Sequence, residues 1–94
     1  MSPFHKSNRN FPAHIKVALT SVNSFVALHD PAQVNYPRFE SCRKQILGLP
    51  LRKSEIDLMR RLLDKTERYL RYGESGAVKF ELNLIAKILS QKLT

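Results

Sequence analysis

Apolar positions in this chain recur mostly with the period of a helix. Residues 1–10 are polar and carry no apolar period, so they read as a loose basic arm. Beyond them Ile15, Leu19, Val22 and Val26 follow at spacings of four, three and four, which puts them on one helical face. Asn10 can cap and Pro12 suits a first turn, so a first helix is predicted over about 12–29. Asp30-Pro31 ends it, because a residue before proline is pushed away from helical dihedrals. Pro37 opens a second helix in which Phe39, Cys42 and Ile46 share a face, and Gly48 supplies its stop. Pro50, between Leu49 and Leu51, forbids a continuous helix through that bridge.

The third element is the best punctuated. Ser54 can cap it, and Glu55 and Asp57 lie in the first turn, where the helix dipole favours negative charge. Ile56, Met59, Leu62, Leu63, Thr66 and Leu70 form an inner face, Arg68 and Arg71 occupy the last turn, and Gly73 stops the helix, predicted over about 55–72. Residues 73–76 make a turn in which Ser75 or Gly76 can cap the final element. That last segment fits two periods. Val78, Phe80, Leu82 and Leu84 alternate like a strand, while Val78, Leu82, Ile85, Leu89 and Leu93 fit a helix. The 17 residues from 77 to 93 contain no breaker and exceed an ordinary strand, which selects the helix. The expected fold is therefore all-α: a single small four-helix bundle-like domain over 11–94 behind the arm at 1–10. The alternative is α+β, with a strand near 78–84 pairing with Ile15 to Leu19.

As a helix, the last segment is apolar on two sides, with Val78, Leu82, Ile85 and Leu89 on one and Phe80, Leu84 and Ile88 on the other. Such a helix wants burial over most of its surface. Either it lies at the centre of the bundle or its second side meets another chain, and a homodimer is the expectation.

Length and composition narrow the class. Ninety-four residues, 43% apolar and 26% charged with three glycines, describe one ordinary folded domain. The single Cys42 allows no intrachain disulfide and reads as a small buried hydrophobe in a reduced, cytoplasmic chain. No acid precedes Asp30, a bias shared with leader peptides. The run from Ile15 to Leu28 is broken by Lys16, Thr20, Ser21, Asn23 and Ser24, which argues against a secretory signal. A mitochondrial presequence fits in part, and a native first helix accounts for the same residues. No apolar run approaches the roughly 18 residues of a membrane span.

Catalytic and metal signatures are missing from the pattern. His5, His14 and His29 are scattered, with no pair four residues apart to share a metal, and there is no cysteine pair, phosphate-cradling glycine loop or nucleophile elbow. No cofactor and no enzymatic activity are expected. The acids have ion-pair explanations: Asp57 is spaced for Arg61, Asp64 for Arg60 and Arg68, and Glu67 for Arg71.

What has a physical direction is the charge. Sixteen Lys and Arg against eight Asp and Glu give +8 and favour an anionic partner. Ten of the basic residues, against five acids, lie between Arg38 and Arg71. If helices two and three pack side by side, Arg43, Lys44, Arg52, Lys53, Arg60, Arg61, Lys65, Arg68 and Arg71 are candidate phosphate contacts, and Tyr69 and Tyr72 can add hydroxyls or stacking. The function expected is that of a small basic regulator binding nucleic acid, DNA before RNA, in transcription regulation. The alternative is an adaptor that docks an acidic protein through Phe80, Leu84 and Ile88. The segment from Leu51 to Leu63 resembles the opening helix of winged-helix regulators in its Leu, cap and Glu. The second half is similar, in its order of capped helix, turn and apolar helix, to small helical connector proteins of bacterial biofilm regulation. No recognition helix with a preceding tight turn can be placed, and no family is assigned.

Overall fold

The computed structural model describes residues 3–93, with side chains from Phe11 onward, and is built of four helices: α1 (Pro3–Leu28), α2 (Tyr36–Leu47), α3 (Lys53–Arg71) and α4 (Ser75–Gln91). No strand occurs among the described residues, so the all-α reading holds, the α+β alternative does not, and the β wing of winged-helix regulators has no counterpart here.

Three of the four starts differ from the sequence expectation, each for a local reason. α1 begins at Pro3 and carries Pro12 inside it. Pro3 suits a first turn, and nothing between it and Pro12 breaks a helix. The interior proline lacks the N–H that would bond the residue-8 carbonyl, a local cost of about 3 kcal/mol. The backbone of 3–10 thus continues the helix, where the sequence suggests a loose arm; residues 1 and 2 lie outside the described residues. α3 starts at Lys53 because Glu55 reaches back to accept the Arg52 N–H at 3.0 Å, which makes Arg52 the cap and leaves Ser54 inside the first turn. In α4 the residue before the helix is Glu74, and Ser75 is already helical. α2 follows expectation, with the Asn35 carboxamide accepting the Arg38 N–H at 3.0 Å and Gly48 closing the helix.

The turn between α3 and α4 shows why Gly73 is needed. Its φ of 72° is left-handed, which lets Glu74 N–H reach the Tyr69 carbonyl at 2.9 Å and Gly73 N–H the Leu70 carbonyl at 3.3 Å, the paired bonds of a Schellman stop.

The helices form a ring in which α1 packs on α2 and α4, and α3 packs on α2 and α4, while the diagonal pairs do not meet. α4 therefore has two helical neighbours, as each of the others has, and its packings on α3 and α1 are the most extensive in the ring. Into the ring each helix sends one stripe: Ile15, Ala18, Val22 and Phe25; Phe39, Cys42 and Ile46; Met59, Leu62, Leu63 and Leu70; Val78, Leu82, Ile85 and Leu89. Phe25 meets Phe39 edge-on at 5.8 Å between centroids and stacks on His29 at 5.5 Å, fixing the end of α1 to the start of α2. The Thr66 hydroxyl, fully buried, donates to the Leu62 carbonyl at 2.7 Å within its own helix and so needs no outside partner. An ion pair between Lys92 and Glu55 joins the end of α4 to the start of α3, as antiparallel neighbours require.

Candidate nucleic-acid interface

Nine cations are candidates from the sequence, and the fold sorts them into three groups. The first is a row along the outer side of α3. Lys53, Arg60, Arg61, Lys65, Arg68 and Arg71 are all exposed there. At 1.5 Å rise per residue the row is about 27 Å long. Its apolar counterpart faces inward, which is why the helix with the strongest amphipathic pattern also presents the most coherent charged surface. Arg61, Lys65 and Arg68, with Asp64, line one open depression of about 450 Å³.

Carboxylates interrupt the row without neutralising it. Asp57 and Asp64 are exposed within it. Lys65 Nζ lies 3.6 Å from Glu81 Oε1, yet its side chain remains 47% exposed. Arg71 Nη2 donates to Glu67 Oε2 at 2.8 Å, the one pairing within α3 expected from spacing that forms. Among the described residues, Lys53, Arg60, Arg61 and Arg68 have no carboxylate within ion-pair distance.

The second group is the pair from α2, which does not join the row. Arg43 is directed into the α2–α3 seam, where Nη2 donates to Asp64 Oδ1 at 2.8 Å and Nη1 lies 3.5 Å from Glu67 Oε1. With its side chain only 22% exposed, Arg43 is a clamp between helices. It also explains why Asp64 does not pair with Arg60 or Arg68: a half-buried guanidinium has more need of compensation than a solvated one. Lys44 lies in the groove against α1, lining a cleft with His14, Val17 and Leu49. The expectation of one positive face shared by helices two and three is thus replaced by a face of α3 alone.

Arg52 forms the third group. It is exposed at the corner where α3 begins, one residue before the row.

Of the tyrosines, Tyr69 packs against the core edge, while Tyr72 is 78% exposed at the end of the row. The apolar side of α4 divides likewise. Phe80 is 68% exposed and Leu84 lies at the surface, whereas Ile88 is partly buried and packs against the core.

Cys42 is buried, as its sequence context suggests, and its thiol donates to the Ser21 carbonyl at 3.3 Å. Burial pushes the thiol above its ordinary pKa, against the opposing pull of the Arg38 guanidinium and of the Ser21 side-chain hydroxyl. No group of three or more His, Cys, Asp or Glu placed to hold a metal occurs among the described residues. No described helix is long and apolar enough to cross a membrane.

Sequence reasoning missed the role of Arg43, which depends on two acids 21 and 24 residues away, and the polar clefts around Arg38 between α1 and α2. Neither has a local motif. No family model matches this chain, and neither a curated protein nor a solved structure does.

Proposed function

We propose that this is a small, basic, non-enzymatic helical protein that binds nucleic acid, duplex DNA in the first instance, through the outer row of α3, and acts as a regulator. The single observation that supports this most is the row itself: Lys53, Arg60, Arg61 and Arg68 exposed with no carboxylate partner among the described residues, and Lys65 half-exposed among them. In a chain of net charge +8 such a row can exchange its counterions for phosphates, and the release of those counterions drives association. Contacts of this kind hold register on the backbone and do not by themselves read bases. The test is anisotropy of a labelled duplex of about two helical turns at low salt, comparing the natural chain with the triple variant Arg61→Ala, Lys65→Ala, Arg68→Ala. Binding that the variant loses supports the reading; no binding by the natural chain overturns it.

The exposed Phe80 and Leu84 favour a second reading, docking of a protein partner, acidic or a second copy, on α4. Light scattering at tens of micromolar separates the self-association version, since a monomer excludes it. Capture of a defined acidic amphipathic peptide, lost on Phe80→Asp, tests the other.

A further inference from the structure

We propose that the groove between α1 and α2 holds a separate small-molecule site, built on Arg38 and suited to a phosphomonoester carrying a planar apolar group. Two clefts meet at this arginine. One, of about 230 Å³, is lined by Thr20, Ser21, Ser24, Ser41 and Cys42 together with Arg38. It contains hydroxyls, a thiol and a guanidinium but no carboxylate. Ser21 is engaged, donating to Gln45 Oε1, while the hydroxyls of Thr20, Ser24 and Ser41 have no hydrogen-bond partner among the described residues. The thiol brings no negative charge, since Cys42 donates to the Ser21 carbonyl and burial disfavours its thiolate. Arg38 is exposed and has no carboxylate within ion-pair distance among the described residues, so its planar fork of N–H donors is uncommitted. A guanidinium beside free hydroxyls is the donor set that a tetrahedral oxyanion requires.

The other cleft, of about 340 Å³, extends from Arg38 to the end of α1 and carries one exposed apolar side chain at its edge. Leu28, His29, Asp30, Gln33 and Asn35 line it above Phe25, which is only 2% exposed beneath the His29 ring stacked on it at an interplanar angle of 19°. Leu28 is 66% exposed, an apolar side chain left facing solvent at the cleft. His29 Nδ1 is buried there without a hydrogen-bond partner. Asp30 is the one carboxylate on this side, with Oδ1 already accepting the Ala32 N–H at 2.9 Å, and it repels an anion from this half. The ligand is thereby oriented, with its phosphate among the hydroxyls, its apolar portion against Leu28 and the His29 ring that covers Phe25, and Arg38 between the two.

The site shares no residue with the α3 row, so it stands or falls apart from nucleic-acid binding. The experiment is a ¹H–¹⁵N NMR titration of the full chain with phenyl phosphate and with inorganic phosphate, repeated on Arg38→Gln. Because Arg38 is exposed, the variant folds, and its amide spectrum verifies this. The expected result is saturable shifts confined to residues 20–42, binding of phenyl phosphate at least several-fold tighter than inorganic phosphate, and a loss of about tenfold or more in the variant. Shifts that map to α3, that do not saturate, or that survive Arg38→Gln overturn the site. Equal affinity for the two phosphates overturns the two-part ligand.

Discussion

Phe80 and Leu82 are two residues apart on a segment whose apolar positions fit a strand as well as a helix, and truncating each to alanine distinguishes the two physically. In a strand both side chains share a face and both truncations cost alike. In α4 Leu82 is 1% exposed among Val78, Ile85 and Leu89, whereas Phe80 is 68% exposed. Leu82→Ala removes buried methyl groups and leaves a cavity, at about 3–4 kcal/mol. Phe80 has roughly a third of its surface covered, so truncation forfeits about 0.7–1 kcal/mol of burial and recovers about half of that through the helix preference of alanine. Its net cost is below about 0.5 kcal/mol. For a domain whose stability lies near 5–14 kcal/mol, Leu82→Ala removes a large share. Urea unfolding followed by far-UV circular dichroism, with a slope of about 1 kcal/mol/M, translates these into a midpoint drop of about 3 M for Leu82→Ala and less than about 0.5 M for Phe80→Ala. Equal drops, or a larger one for Phe80, would refute the helical placement of this segment.

Three further outcomes are expected from the packing. A double-mutant cycle on Arg43→Ala and Asp64→Ala is expected to give a coupling of about 0.5–1 kcal/mol at low salt that shrinks in 1 M NaCl, since Asp64 is over half exposed; zero coupling at low salt would remove the α2–α3 clamp. Gly73→Ala should cost about 1 kcal/mol because of its left-handed φ, while Gly76→Ala, helical with open space around its Cβ, should stabilise by a similar amount; equal signs in a urea melt would contradict the stop at Gly73. Cys42 has its thiol pKa raised on folding, so the stability it contributes is fully present below the ordinary thiol pKa of about 8.5 and is lost as pH rises through the folded value. The alkaline fall in urea midpoint should therefore be steeper in the natural chain than in Cys42→Ala, and identical slopes would contradict the shift.

The sequence made the inner stripes readable because a helix repeats its buried face every three to four residues. Met59, Leu62, Leu63, Thr66 and Leu70 are buried as their spacing predicts, and so are Phe39, Cys42 and Ile46. Helix starts were less readable, since a cap is decided by competition: Ser54 has the right side chain, but Glu55 reaching back to Arg52 sets the start earlier. The candidate interface was legible only along α3, where one helix carries the whole row. Whether α2 contributes depends on its rotation about its own axis, which turns Arg43 into the seam and Lys44 towards α1. Nothing in the local pattern of α2 encodes that rotation. The clefts at Arg38 were hidden for the same reason, because Thr20, Ser24 and Ser41 become neighbours only when α1 and α2 pack.

Salt dependence of duplex affinity tests the α3 row most directly. With about five phosphates contacted, log K should fall against log salt with a slope of about −4 to −5, and the triple variant Arg61→Ala, Lys65→Ala, Arg68→Ala should flatten it by about three units. An unchanged slope in the variant, or affinity indifferent to salt, would contradict phosphate engagement by these residues.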